Sequence, residues 1–377
     1  MGAGTAQRGA CLLISGKVRK NMEFVVFAGV LLLLFIFMIV QELIQTKNQE
    51  KLFKKYLREN YGKEPPKEYS LERFARLGSY LERHKEEKQL DDITWNDLGM
   101  DEVFRRIDRT YSAAGEEYLY YTLRNISCGR EALEHLEEVV NWLQEQENIK
   151  VRIQLLMKRL GHLGKYSLYD YLDNLDYLGE RSNRKIVLGN LLYLPFLLLL
   201  FVQPAMGTIG IVLCMLWHIM TYFREKKVIE PYIISFAYVL RLIDVCEELE
   251  KQKIPVYRRE LDELREVLKS LRELRRGAYW VMAGNQGKIG GNPLDILADY
   301  LRMILHLDIF QFNRMLEKLR KKTGQVETML AITGYLDMAI SVGGFRKSLE
   351  GYCIPKLEED TEKAFLHMKK GWHPLLS

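Results

Sequence analysis

Proline is scarce in this chain of 377 residues, with 9 prolines against 28 % charged residues. That balance argues against a turn-rich β fold and for long helices. Cysteine is too sparse and scattered to build a scaffold. Cys11, Cys128, Cys214, Cys246 and Cys353 are odd in number and form no CxxC pair. Neither a disulfide framework nor a zinc site is expected, and reduced cytoplasmic thiols fit best. The seven histidines are dispersed, with no HExxH pair and no GxSxG elbow anywhere. Gly287-Lys288 superficially suggests a phosphate loop, but Met282 and Ile289 stand where GxxxxGK[ST] needs glycine and a hydroxyl. Asn125-Ile126-Ser127 matches a glycosylation acceptor that a cytoplasmic helix end would leave unused. No catalytic, metal-ligating or cofactor-binding residue is expected, and an autonomous enzyme is not indicated. The net charge of +5 permits contact with DNA or anionic lipid without demanding either.

A mean hydropathy of −0.17 hides strong segregation. Phe24 to Gln41 has no charged residue, which suits a spanning helix of roughly 20 residues. We therefore expect a transmembrane helix over 22–42, retained because no small-x-small cleavage site follows it. Residues 186–223 also lack Asp, Glu, Lys and Arg. One helix of that length would run about 57 Å, far beyond a hydrocarbon core of about 30 Å. Gln203 to Gly207 supplies a turn at its midpoint, so two transmembrane helices in a hairpin are expected. Arg181, Arg184 and Lys185 precede the hairpin, and Arg224, Lys226 and Lys227 follow it. Both ends should face the cytoplasm, as should the hydrophilic segments of a cell-membrane protein. Lys47, Lys51, Lys54, Lys55 and Arg58 place the segment after the first span on that side too. The outside N-terminus this requires conflicts with Arg8, Lys17, Arg19 and Lys20. Translation from Met22, with 1–21 a mis-called or disordered extension, removes the conflict. A transporter is disfavoured, because the spans hold no ionised residue to mark a pathway.

The rest reads as an all-α body: a charged helical linker over 43–94, then helical segments over 95–185 and 224–350. Helices are expected at Lys47 to Tyr61, Ser70 to Lys88, Val256 to Arg276 and Asp295 to Lys322, with breaks at Gly62 to Pro66 and Gly284 to Pro293. From Met100, the residues Phe104, Ile107, Tyr111, Ala114, Tyr118 and Tyr121 recur at spacings of 3 and 4. They predict one continuous apolar-aromatic helix face, a packing seam more readily than a nucleic-acid contact. Small residues around Gly115 would admit a close partner helix. Arg314, Lys318, Arg320, Lys321 and Lys322 make a basic helix end. A solvated C-terminal turn explains it more simply than DNA or lipid contact does.

Arg105 to Arg124, RRIDRTYSAAGEEYLYYTLR, resembles the start of the core domain in MutS-family DNA mismatch-repair proteins. That helix reads roughly L-D-x-T-x-T-x-x-G-x-R-L-L-x-x-W-L, and Asp108, Thr110, Gly115, Leu119 and Leu123 match it here. Leu336, Asp337 and Ser341 resemble the family's returning lever helix. Tyr352 and Pro355 are similar to its Y-x-x-P segment, and Gly371, His373 and Pro374 to the G-R-H-P just before its nucleotide-binding loop. The resemblance frames 95–377 as a core and lever, with 351–377 beginning an ATPase domain that is otherwise missing, as in a truncated product. It implies that this chain binds no cofactor and is not itself an enzyme. ATP and Mg, and homodimerisation, would belong to the missing domain, with DNA as the partner the full protein engages. It also implies an orphan β-strand at Ala364 to Met368. The family's mismatch-reading Phe-x-Glu domain and DNA clamp are not recognisable, so the alternative is a membrane-bound helical scaffold for protein partners.

Overall fold

A computed structural model describes residues 36–41, 43–63, 69, 71–85, 88–126, 129–163, 167–275, 293–356, 367–369 and 371. The described chain is mostly helical and contains no strand, only an isolated bridge between Gln89 and Asn125. Most of the expected first span lies outside the described residues, although 36–41 are helical and exposed. Residues 1–59 and 60–377 form separate compact units. In the first, helical residues 43–59 carry an i,i+4 ion pair between Lys54 and Glu50 at 2.6 Å.

The second unit is built of successive helices. α1 (Leu71–Arg83) is followed by α2 (Asp92–Asp97), whose N-cap Asp91 accepts from the Thr94 amide at 2.6 Å. Then come α3 (Met100–Ile107), α4 (Ala113–Arg124), α5 (Arg130–Glu145), α6 (Glu147–Leu160) and α7 (Leu168–Asp173). A capping box of Ser167 and Asp170 starts α7. α8 (Arg184–Leu191), α9 (Tyr193–Val202) and α10 (Pro204–Glu250) form the hairpin and its continuation. α11 (Arg258–Leu271), α12 (Pro293–Leu305), α13 (Leu307–Arg320) and α14 (Thr323–Ser348) complete the body. The main core gathers Val140, Ile153, Phe236, Leu264, Phe312 and Leu336. A smaller one joins Leu77, Trp95, Phe104, Leu119, Tyr120 and Met338.

Two expected helices are each broken in two. The face from Met100 to Tyr121 is interrupted between α3 and α4, where Asp108 and Ser112 offer their side chains to nearby backbone amides. Such residues compete with helical hydrogen bonding and stop a helix. The segment 295–322 breaks at His306, the one described non-glycine residue with positive φ, at 53°. There Asn190 Nδ2 donates to the Leu305 carbonyl at 3.1 Å, and Asp308 accepts from Tyr222 Oη on α10 at 2.8 Å. Tertiary partners thus replace the helical bonds that the turn gives up. Of the expected break at Gly284 to Pro293, all but Pro293 lies outside the described residues.

Among the described residues, three helical segments are long and apolar enough to cross a membrane: Arg184–Val202, Pro204–Glu250 and Thr323–Ser348. The last is 72 % buried over its apolar window, and its Thr333, Asp337 and Ser341 are enclosed by protein. It is a core helix. The first two differ: Leu198, Phe201, Val202, Leu213 and Met220 are all more than half exposed. Over 186–223 their outer faces carry apolar side chains and no charge, a larger exposed apolar surface than soluble proteins usually present. α8 and α9 meet at Leu192, where Pro195 cannot supply the amide for the Leu191 carbonyl. The turn is tighter than expected, with Gln203 alone between α9 and Pro204 at the first position of α10.

The two arms touch backbone to backbone. A Cβ on Gly207 would fall 2.6 Å from the Leu200 nitrogen, and one on Gly210 would fall 2.1 Å from Phe196 Cδ1. Without a hydrophobic drive between helices in lipid, such close packing holds them together. α10 then runs past residue 223 into the body as one helix of 47 residues, about 70 Å, with Pro231 inside it removing one helical hydrogen bond. Gly207→Ile should therefore lower the melting temperature of the detergent-solubilised protein by several degrees. Met206→Ile, one residue away on the exposed face, should leave it unchanged. Equal behaviour of the two variants would contradict close packing of the arms.

Candidate functional site

Ser112 begins α4 with extended backbone (φ −126°, ψ 154°), and its hydroxyl accepts from the Gly115 amide at 3.1 Å. The same hydroxyl donates to Asp337 Oδ2 on α14 at 2.6 Å. That carboxylate also accepts from the Tyr111 amide at 3.0 Å and the Ser112 amide at 2.8 Å. A helix start has unsatisfied amides and a partial positive charge. Here a carboxylate from a helix 225 residues away supplies the complement. Close approach makes this reach feasible. A Cβ on Gly115 would lie 2.4 Å from Asp337 Oδ2, and one on Gly334 would lie 2.6 Å from the Ala114 carbonyl oxygen.

One turn further along α14, Ser341 clasps the chain before α4. Its hydroxyl accepts from the Arg109 amide and donates to the Ile107 carbonyl, both at 2.7 Å. Asp108 Oδ1 accepts from the Thr110 amide at 2.9 Å and its hydroxyl at 2.6 Å, while Tyr69 Oη donates to Oδ2. Burial, reinforced by Asp108, drives the Tyr69 phenol far above its usual range. Asp108, Thr110, Ser112, Asp337 and Ser341 are each at most 1 % exposed.

Two further carboxylates line the neighbouring face of α4. Glu116 is fully buried and meets Arg73 at 2.5 Å, Arg76 at 2.9 Å and His162 at 3.5 Å. Glu117 accepts from the Ser167 hydroxyl at 2.9 Å, and burial pushes its carboxyl up to about 8. Apolar periodicity missed both, because a buried glutamate looks like a solvated one in sequence. Their signal is the pair of arginines at 73 and 76, spaced to share one helix face.

The foot of the hairpin is a second polar cluster. Asn183 Nδ2 donates to the Phe310 carbonyl at 3.0 Å, and Asn313 Nδ2 to Asn183 Oδ1 at 2.9 Å. Arg181 pairs with Glu225. His306 lies against His218, with ring centroids 5.4 Å apart. Burial, with His218 adding to it, lowers the His306 imidazole to about 4, so it stays neutral at physiological pH. Among the described residues, no group of three or more His, Cys, Asp or Glu is arranged to hold a metal.

The residues singled out by resemblance have distinct fates. Asp108, Thr110, Gly115, Asp337 and Ser341 converge on the α4–α14 crossing. Leu119 and Leu336 enter the two cores, and Leu123 packs at the edge of the smaller one. Tyr352 is half exposed under the Arg346 guanidinium, and Pro355 is exposed. His373, Pro374 and most of the expected strand at Ala364 to Met368 lie outside the described residues. Of the basic end, Arg320 donates to the Leu175 and Gly179 carbonyls, and Lys322 to that of Ser270. Lys321 pairs loosely with Glu317 at 3.9 Å. Comparison with family models, curated proteins and solved structures finds no match.

Glu117 makes folding pH-dependent. Its folded value of about 8 exceeds the ordinary 4.5, so between the two the folded state holds a proton that the unfolded state lacks. This contribution is complete below pH 4.5 and is lost as pH rises through 8. Glu117→Gln should raise the melting temperature at about pH 8.5 by several degrees and change it little at about pH 5. A variant melting curve that tracks the wild type at both pH values would contradict the assignment.

Proposed function

We propose that this chain is the membrane-anchored core and lever of a MutS-like protein. In that reading it transmits movement between an ATPase domain, which would bind ATP and Mg and dimerise, and DNA. The α4–α14 crossing carries the proposal. The two stretches that resemble the family's core start and returning lever helix are far apart in sequence, yet they meet through buried polar contacts. α10, a single helix from the exposed apolar hairpin into the core with Pro231 on the way, supports a continuous link to the membrane. Lys and Arg flanking the hairpin support a cytoplasmic body.

One observation favours the alternative, a membrane-bound helical scaffold for protein partners. Arg320 and Lys322, in the basic run weighed as a DNA or lipid contact against a solvated helix end, are engaged in contacts within the fold. Binding of labelled duplex and branched DNA to the full chain in neutral-lipid nanodiscs separates the two readings. The lever reading predicts affinity that falls steeply and linearly in log salt, as phosphate contacts require. Absence of binding at low salt overturns it and leaves the scaffold.

A further inference from the structure

Where the C-terminal turn of α14 meets the junction of α5 and α6, an open-mouthed cavity of about 310 Å³ is lined by Tyr61, Gln144, Lys150, Arg346, Lys347 and Tyr352. Three of the six are cations, none is a carboxylate, and the uncharged three can all donate hydrogen bonds. Arg346 and Lys347 alone would be ordinary, since cations favour the last turn of a helix. Lys150 has no such explanation. It is only 5 % exposed and sits in the first turn of α6, the end of a helix that disfavours positive charge.

Among the described residues, no carboxylate forms an ion pair with the Lys150 ammonium, and Glu147 in the same turn attracts it only at longer range. Its nitrogen lies 3.6 Å from the centroid of the Tyr61 ring, and Lys347 approaches the same ring at 5.3 Å. Burial first, then the Lys347 charge, push the Lys150 ammonium below its usual range against a smaller opposing pull from Glu147. Arg346 is half committed: one guanidinium nitrogen pairs with Glu137 at 2.6 Å, and another is buried without a hydrogen-bond partner. A buried, unpaired lysine beside two more cations costs stability unless something negative is supplied.

We propose that this cavity binds a small soluble phosphomonoester, its phosphoryl group seated between Lys150, Arg346 and Lys347. A phosphate carries close to two negative charges at neutral pH and three strong acceptor oxygens, matching a donor-only, multiply cationic lining better than a single carboxylate would. A cavity of this size has room for the phosphoryl group and a compact body attached to it. A lipid headgroup is the other source of the same chemistry, and the experiment below separates the two. The proposal does not depend on the lever reading.

The test uses the full chain in phosphatidylcholine nanodiscs, titrated calorimetrically with inorganic phosphate at an ionic strength matched by chloride. Saturable binding is expected, weakened about tenfold or more in Lys150→Met and in Lys347→Gln. Lys150→Met removes a buried charge and should melt no lower than wild type in phosphate-free buffer, and Lys347→Gln alters an exposed residue. No saturable heat, or equal affinity in wild type and both variants, overturns the proposal. So does stabilisation that appears only when the discs contain phosphatidic acid and never with free phosphate.

Discussion

The Asp337 carboxylate caps a helix to which it does not belong, and that tie organises the body. It takes two backbone amides and a hydroxyl at the start of α4, all buried, in the region where α3 must stop and α4 begin. Leaving those donors unmet would cost about 1–3 kcal/mol each, a large share of the stability a domain has to spare. The tie also sets geometry. A Cβ has no room at Gly115, which faces the Asp337 side chain, or at Gly334, which faces the Ala114 backbone carbonyl. Glu116 and Glu117, next along α4, can then face inward to Arg73, Arg76 and Ser167.

From this centre the helices extend toward the apolar hairpin. α14 packs on α4, α5, α6 and α11, and α10 lies against the same body before continuing as an arm of the apolar hairpin. The asparagines at 183, 190 and 313, with Tyr222 and Asp308, fasten the hairpin foot to the turn between α12 and α13. These are polar bonds at the place where apolar surface stops and charged surface starts. A tilt of the hairpin would therefore have to move α12 and α13 with it.

The sequence displayed the large-scale pattern and concealed the fine one. The uncharged run at 186–223 and Pro204 were enough to expect a hairpin, because lipid exposure demands apolar side chains on every face. The seam was also anticipated in part: Gly115 among small residues predicted a close partner helix. The break between α3 and α4 was not, because the 3-4 spacing of Phe104, Ile107, Tyr111 and Ala114 runs on across it. Periodicity records which side faces the core, and both halves face the same core. Thr323–Ser348 is the converse example. Its composition would suit a membrane span, and only packing around Asp337 and Ser341 shows a core helix. Nothing in the local sequence marks Lys150 or Glu117 as buried, since burial is a property of neighbours.

Hydrogen–deuterium exchange of the full chain, read on peptides covering Tyr111 to Arg124, addresses the tie most directly. In the wild type these amides should exchange only as slowly as the core of α14. In Asp337→Ala, protection should collapse first at Tyr111 and Ser112 and spread into α4, while α10 around Phe236 stays protected. Unchanged protection at the start of α4 in that variant would contradict the account.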